Sequence, residues 1–487
     1  MSQLEKAVHW INGQWVDSGE TKESHDPATG EVIGTYVEAG PDEMQQAIDA
    51  AQKAFKETDW KDNRRLRNIV LTKLAEAFEQ AMPELVEITG LENGKVKSHA
   101  EIEFEVVPHT FRVNAGLTLT DFGRAMQVIP GSLDMVLREP VGVAGIIAPW
   151  NSPVALGVRS LAPALAAGTT VVMHLPRQTA HINHLIAKTI ASVKEIPEGV
   201  INVVIGGAKT GQLLVDSPAV PTISFTGSSQ TGRSISASGA DNLKRFGLEL
   251  GGKTPMVVFD DADIDAYVAT QVPALSVFAG QFCMTASRVL VHESVADEVR
   301  TKLVDALSQI KVGPAADPSS EMGPLIDRPN VERVNGMVED AINDGAKVLL
   351  RGGPFTEGPL SEGAFYAPTL LEVDSCDFDI VQQEVFGPVL VMQTFTSEEE
   401  AIEMANATEY GLAAAIWSRD IDRPLRVARE IEAGTVWIND WAALFDQFEE
   451  GGYKASGVGR MRGLAVLDDF LECKHISLGP GRVGDHG

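Results

Sequence analysis

Cysteine is scarce in this chain. Of 487 residues only three are cysteine, Cys283, Cys376 and Cys473, far apart and odd in number. That excludes a disulfide framework and fits a reducing compartment; the lack of any CxxC pair removes the commonest metal spacing. No run of about 18 apolar residues occurs, so no membrane-spanning helix is expected. The opening MSQLEKAVHW has neither an apolar core nor a basic cluster. No secretory signal is expected there, and the cytoplasm is the expected location. Positive charge is also short: 40 Lys plus Arg stand against 68 Asp plus Glu, a net −28. That balance argues against nucleic acid or an anionic membrane as the partner. The rest is ordinary for a globular protein, 44% hydrophobic and 22% charged, with enough chain for more than one domain.

Periodicity gives an outline. Met44, Ala47, Ile48, Ala51, Ala54 and Phe55 form a helical stripe over 42–57, and Leu66, Val70, Leu74 and Phe78 form another over 64–80. From about residue 141 short β-rich runs take over: VGVAGIIAPW, TTVVMHLP, GVINVVIG, TISFTG and TPMVVFDD. A helix-length segment, 178–194, lies between the second and third. Strands alternating with helices predict parallel βαβ units and a doubly wound sheet. A second α/β cycle follows residue 252, with strands expected at 288–292, 346–350, 388–394, 412–417 and 434–439 and a helix at 423–433. The Gly/Pro-rich stretch 351–363 reads as an exposed loop.

Five stretches carry chemistry. Cys283 sits in GQFCMTASR; a lone cysteine is more often buried and inert than reactive. Ala148-Pro149-Trp150-Asn151-Ser152-Pro153 follows a predicted strand, where open α/β sheets bind ligands, and its prolines aim Asn151. Phe225-Thr226-Gly227-Ser228-Ser229-Gln230-Thr231-Gly232 joins a strand to a helix whose N-terminus attracts phosphate. It is not a GxGxxG fingerprint, and it lacks the Lys-Ser/Thr of a P-loop. Glu249 stands among apolar residues before Gly251-Gly252-Lys253, and burial would raise it toward the range of a general base. Glu384-Val385-Phe386-Gly387-Pro388 precedes another strand.

Taken together and in this order, PWNSP, FTGSSQTG, ELGGK, GQFC, EVFGP and GGYKASGVGR make the chain resemble the aldehyde dehydrogenase superfamily over nearly its whole length. The resemblance implies that Cys283 attacks the aldehyde carbon and that Asn151 and the Cys283 N–H hold the oxyanion. It implies that Glu249 activates the water that hydrolyses the thioester. It places Glu384 on the nicotinamide ribose, Phe386 and Trp150 near the ring, and Gly227, Ser228, Gly232 and Leu250 around the phosphates and nicotinamide.

Several positions depart from the pattern. Where many relatives have a ribose-binding lysine this chain has His174, and where NAD-preferring members have a glutamate it has Arg177. A cation there attracts a 2′-phosphate, which tilts the expectation from NAD toward NADP. Arg159 stands where the resemblance implies a tunnel-lining aromatic, or the substrate-holding arginine of members that oxidise succinate semialdehyde. Their second arginine is Val277 here, and Glu449 and Glu450 stand close by in the capping loop. Arg159 is therefore either a clamp for an anionic aldehyde or the partner of Glu450; Trp441 is a candidate tunnel wall. Ser160 and Met461 replace a lysine and a glutamate that in relatives carry protons away from the base. Cys376 and Cys473 are read as packing residues, and His181 with His184 as a solvated helix face.

The expected fold is α/β: a Rossmann-type dinucleotide-binding domain (1–120 and 141–251), an α/β catalytic domain (252–450) and a small β bridging element (121–140 and 465–487). The resemblance implies pairing through the bridging element, as a homodimer or homotetramer. The expected function is NAD(P)-dependent oxidation of an aldehyde to its acid through a cysteine thiohemiacetal and thioester, the aldehyde being a semialdehyde or otherwise polar. Aromatic, broad-specificity and betaine aldehyde variants stay open, as does a cysteine-dependent ester or thioester hydrolase. No metal is expected.

Overall fold

Two parallel-centred sheets organise the computed structural model, which describes residues 4–121 and 123–479. The first has eight strands in the spatial order Gln14–Val16, His9–Ile11, Ile201–Gly206, Thr170–Pro176, Val143–Ile147, Thr222–Thr226, Arg245–Glu249 and Gly457–Val458. Its five central strands are parallel, and the chain starts at Val143–Ile147, runs outward through two strands, then returns to the other side at Thr222–Thr226. That reversal makes a crevice beyond the carboxyl ends of Val143–Ile147 and Thr222–Thr226, the place where such sheets bind ligands. Thr170–Pro176 and Ile201–Gly206 are buried at every position, as strands covered by helices on both faces must be.

One face is covered by the helix Pro153–Ala167. Proline at its first position suits a helix start, and Gly168 at φ 100° ends it. Behind it pack the long helices Arg64–Glu92 and Lys97–Thr120. The sequence reads as helical through roughly the first hundred residues after the β-like start, but marks a stripe only at the front of the first and none for the second. Internal prolines, Pro83 and Pro108, interrupt the stripe, and buried polar residues such as Glu103 and Asn114 blur it.

The second sheet has seven strands, in the order Lys347–Leu350, Thr369–Glu372, Val389–Phe395, Arg288–His292, Pro255–Val258, Ala413–Trp417 and Thr435–Ile438. All the predicted second-cycle strands are there. Thr369–Glu372, only four residues long and directly after Pro368, is a strand the sequence pattern does not mark. A third sheet, Leu471–Leu478, Leu133–Pro140 and Arg124–Met126, stands apart; the expected bridging segment falls on it, with residues 480–487 outside the described chain.

Candidate active site

The Asn151 turn is held from behind. Asn93 donates to the Trp150 carbonyl at 2.9 Å, and Lys95 donates to the Ser152 hydroxyl at 3.1 Å. Lys95 also pairs with Glu103, both fully buried. Glu103 in turn accepts the N–H groups of Val154 and Ala155 at 3.2 and 3.3 Å, a carboxylate at a helix N-terminus. None of Asn93, Lys95 and Glu103 announced itself in the sequence, because their partners lie about fifty residues away. Asn151 is buried, and its Nδ2 donates to the Gln281 carbonyl at 2.9 Å, which ties the turn to the cysteine loop.

The cysteine loop is fixed by backbone shape. Phe278, Ala279 and Gly280 have φ of 51°, 55° and 72°, three left-handed residues in a row. Gly280 packs so closely on the Gly387–Pro388 backbone that a side chain would collide there, which joins this loop to EVFGP. A Cβ on Gly252 would lie 2.7 Å from the Cys283 carbonyl, so ELGGK abuts the same loop. Burial pushes the Cys283 thiol well above its ordinary range, and Arg159 nearby draws it down.

Glu249 ends the strand Arg245–Glu249. Burial lifts its carboxyl to about 8; Arg159 opposes that and Glu450 adds to it. Among the described residues its Oε1 has no hydrogen-bond partner. Glu384 is lifted to about 7, again by burial, and accepts the Gly252 N–H at 3.3 Å.

These stretches meet at one cavity of about 280 Å³, at the crevice anticipated from the strand order. Trp150, Asn151, Gly227, Ser228, Leu250, Cys283, Glu384 and Phe386 line it. The Trp150 and Phe386 rings meet edge to face at 5.6 Å. Gly232 lies against Leu250, where a Cβ would approach within 2.6 Å. Ser228 caps the helix Ser229–Gly239 by accepting the Thr231 N–H at 3.3 Å, so that helix N-terminus opens beside the cavity. A glycine-bordered apolar slot with a helix N-terminus and one carboxyl suits a nicotinamide dinucleotide. Arg333, absent from the sequence reading, also lines the cavity and sits near Glu384.

The other expected residues lie elsewhere. His174 is buried against Gly207 and Gly211, with Nε2 3.1 Å from the Gly207 carbonyl, and burial lowers it to about 4, so it is neutral. Arg177 is about half exposed and pairs with Glu38 at 3.4 Å. Arg159 pairs with Glu450 at 2.6 Å and donates to Thr226 at 3.0 Å. Arg462 binds the other Glu450 oxygen at 2.7 Å and also binds Asp446. Arg159 thus stands paired, in a quartet of two arginines and two carboxylates with Glu450, Arg462 and Asp446. Trp441 donates to the Met284 carbonyl at 2.9 Å, and its ring meets Phe282 edge to face at 6.0 Å.

Two expectations are corrected. His181 and His184 are buried, not solvated: the helix Ala180–Ser192 carries them beneath the N-terminal strands, where His184 meets Val8 and the Trp15 ring. Cys473 is exposed on the outlying strand Leu471–Leu478 rather than packed; Cys376 is half-buried, its sulfur 3.4 Å from the Arg288 guanidinium.

Known proteins resemble this chain over nearly its whole length. The model of the aldehyde dehydrogenase family matches residues 15–476. Betaine aldehyde dehydrogenase of Bacillus subtilis (strain 168) is 39% identical over 473 residues, 96% of each chain. The 2-aminomuconic semialdehyde dehydrogenase of Mus musculus is 35% identical over 478 residues, 96% of this chain and 97% of its own. The crystal structure of betaine aldehyde dehydrogenase from Staphylococcus aureus in complex with NAD+ superposes with a TM-score of 0.95 at 33% identity, covering 99% of this chain and 96% of that one. The chain belongs to the aldehyde dehydrogenase family and is an NAD(P)-dependent enzyme that oxidises an aldehyde to its carboxylic acid.

Proposed function

We propose that Cys283 is the nucleophile, Asn151 the oxyanion donor and Glu249 the general base, acting on an uncharged or polar aldehyde. The observation that carries this is the meeting of Cys283, Asn151 and the Gly227–Ser228 and Glu384–Phe386 segments at one cavity. The Cys283 thiol gives up its proton to solvent water, and its sulfur adds to the aldehyde carbon. One N–H of the Asn151 amide is taken by Gln281; the other, with the Cys283 backbone N–H, faces the developing oxyanion. A bound nicotinamide dinucleotide supplies the hydride acceptor, with Glu384, Phe386, Trp150, Leu250 and the 227–232 segment holding it. Glu249, kept near the working range by burial, takes the proton of the water that cleaves the thioester.

The substrate wall near Cys283 is aromatic, Phe282 and Trp441, while Arg159 is already matched by Glu450 and Thr226. That favours an aldehyde without a carboxylate to clamp over an anionic semialdehyde. For the cofactor, the Glu38 carboxylate beside Arg177 opposes a 2′-phosphate, and the solved relatives hold NAD+, which favours NAD over the NADP expected from Arg177 alone. The three segments divide as nucleotide-binding, catalytic and bridging units, and copies associate through the outlying sheet. That sheet and the loop between its strands expose Met126, Val128 and Ile129. The test is initial-rate NAD(P)H formation with butanal, benzaldehyde, betaine aldehyde and succinate semialdehyde, each with NAD and NADP. Succinate semialdehyde as the best substrate would overturn the substrate reading; loss of all turnover in Cys283→Ala is expected.

A further inference from the structure

A buried general base that takes a proton each cycle must also lose it, and Glu249 faces no solvent. The strand that carries it has a second feature. Residues two apart on a strand share a face and lie about 7 Å apart, so Gly247 is the next position on the Glu249 face. No side chain fills that position. Asp469 and Met461 do instead: a Cβ on Gly247 would lie 2.6 Å from the Asp469 carboxylate and 3.2 Å from the Met461 methyl, and one on Gly459 would lie 3.0 Å from the carboxylate. Its Oδ2 is buried and, like Glu249 Oε1, has no hydrogen-bond partner among the described residues. Two unpartnered buried carboxyl oxygens, one register step apart on one face, are costly unless something passes between them.

The neighbouring strand supplies the means. Ser224 is in register with Gly247, and Thr226 with Glu249. The Ser224 hydroxyl donates to the Ser160 hydroxyl at 2.8 Å, both buried among apolar residues. Thr222, one step further, donates to the Asp469 carbonyl at 2.9 Å, anchoring that residue to the same strand. In register with Thr222 is Arg245, partly exposed and bound to the Asp468 and Leu471 carbonyls. Hydroxyls and a carboxylate thus stand at successive register positions on the face of the base, running toward the rim.

We propose that Asp469, with the Ser160–Ser224 hydroxyl pair, is the proton exit for Glu249; this rests on Glu249 being the base. The water oxygen bonds to the thioester carbon, its proton goes to the Glu249 carboxylate, and the C–S bond breaks to leave the Cys283 thiolate. The Glu249 proton then moves through bridging water and the hydroxyls, each accepting one proton and giving up another, to the Asp469 carboxylate. Asp469 passes it to solvent at the Arg245 rim. Asp469 touches no reacting atom and acts through Glu249, so it is a positioning residue for the proton. Burial holds Asp469 near 7, close beneath Glu249. The charged groups bearing on the pair are Arg159, Glu450 and Arg460 around Glu249, and Arg245 and Asp468 around Asp469.

The test is stopped-flow and steady-state NAD(P)H formation in Asp469→Asn, Ser224→Ala and Glu249→Gln, with and without imidazole. The first hydride transfer needs no exit, so Asp469→Asn should keep a full burst of one NADH per site. Its steady rate should fall about tenfold, general acid–base steps being worth on the order of 10²–10⁴, and imidazole should restore it. Ser224→Ala should show the same pattern more weakly and serves alone if Asp469→Asn fails to fold. Wild-type steady rates in both variants, or loss of the burst together with the rate, would overturn the exit. Glu249→Gln separates the two ideas: steady turnover there defeats the base itself, whereas a burst without turnover there, beside unaffected exit variants, defeats only the exit.

Discussion

Replacing Glu249 by glutamine should stabilise the folded protein while leaving the enzyme unable to finish its reaction. Burial lifts this carboxyl from 4.5 to about 8, against the pull of Arg159. In the unfolded chain the same group ionises at its ordinary value and gains hydration the folded state forgoes. At pH 7 that difference favours unfolding by about 3 kcal/mol. Glutamine keeps the shape and never ionises, so the substitution should recover up to that amount. Below pH 4.5 the carboxyl is neutral in both states, its contribution to stability is intact, and the two proteins should match. The wild type then loses stability as pH rises, and the gap levels off above about 8. For a chain of 487 residues that gap is a Tm rise of about 3 °C. Calorimetry from about pH 5 to about pH 9 measures it. A variant that melts below wild type at pH 8, or by a margin that ignores pH, refutes the burial argument.

Other outcomes follow from the same geometry. Asn151→Ala should lower kcat by about 10²–10³ with a smaller change in KM, since it removes a donor used in the transition state. The ascending limb of the kcat profile should lie near 8, the value at which Glu249 becomes a base; a flat profile there would contradict its role. Glu450→Gln should cost about 3–5 kcal/mol in urea unfolding, because it leaves Arg159 buried without a carboxylate partner, while Arg462 keeps Asp446. Glu103→Gln should loosen the Asn151 turn, lowering activity with the cavity residues unchanged; full activity would show that the turn holds its shape without that carboxylate. Glu38→Ala should raise kcat/KM for NADP relative to NAD by freeing Arg177, and no change would remove the argument against the 2′-phosphate.

Much of this was legible in the sequence where the signal is local. Parallel strands buried on both faces read as short apolar runs, and Arg288–His292 was anticipated to the residue. Cys283, Asn151, Gly227 and Glu384 could be named because each stands in a distinctive string, and the structure brings them to one cavity. What escaped depends on partners remote in the chain. Lys97–Thr120 is a helix whose buried face includes Glu103 and Asn114, so its apolar stripe is weak. Lys95, Glu103 and Asp469 matter through contacts made about fifty to more than two hundred residues away. The two histidines read as solvated because spacing alone does not say which face a neighbouring strand will cover.

The buried quartet of Arg159, Glu450, Arg462 and Asp446 has a bearing on how such an enzyme changes its diet. Its charges cancel, so this part of the interior is neutral only while all four remain. Any single exchange that would suit a new substrate charge passes through an intermediate with an unmatched ion in the interior. Paired exchanges avoid that state, but two simultaneous changes are rare in a lineage. The quartet therefore acts as a ratchet on descent: new specificities are more readily reached through the aromatic wall of Phe282 and Trp441, where one substitution at a time leaves a folded protein.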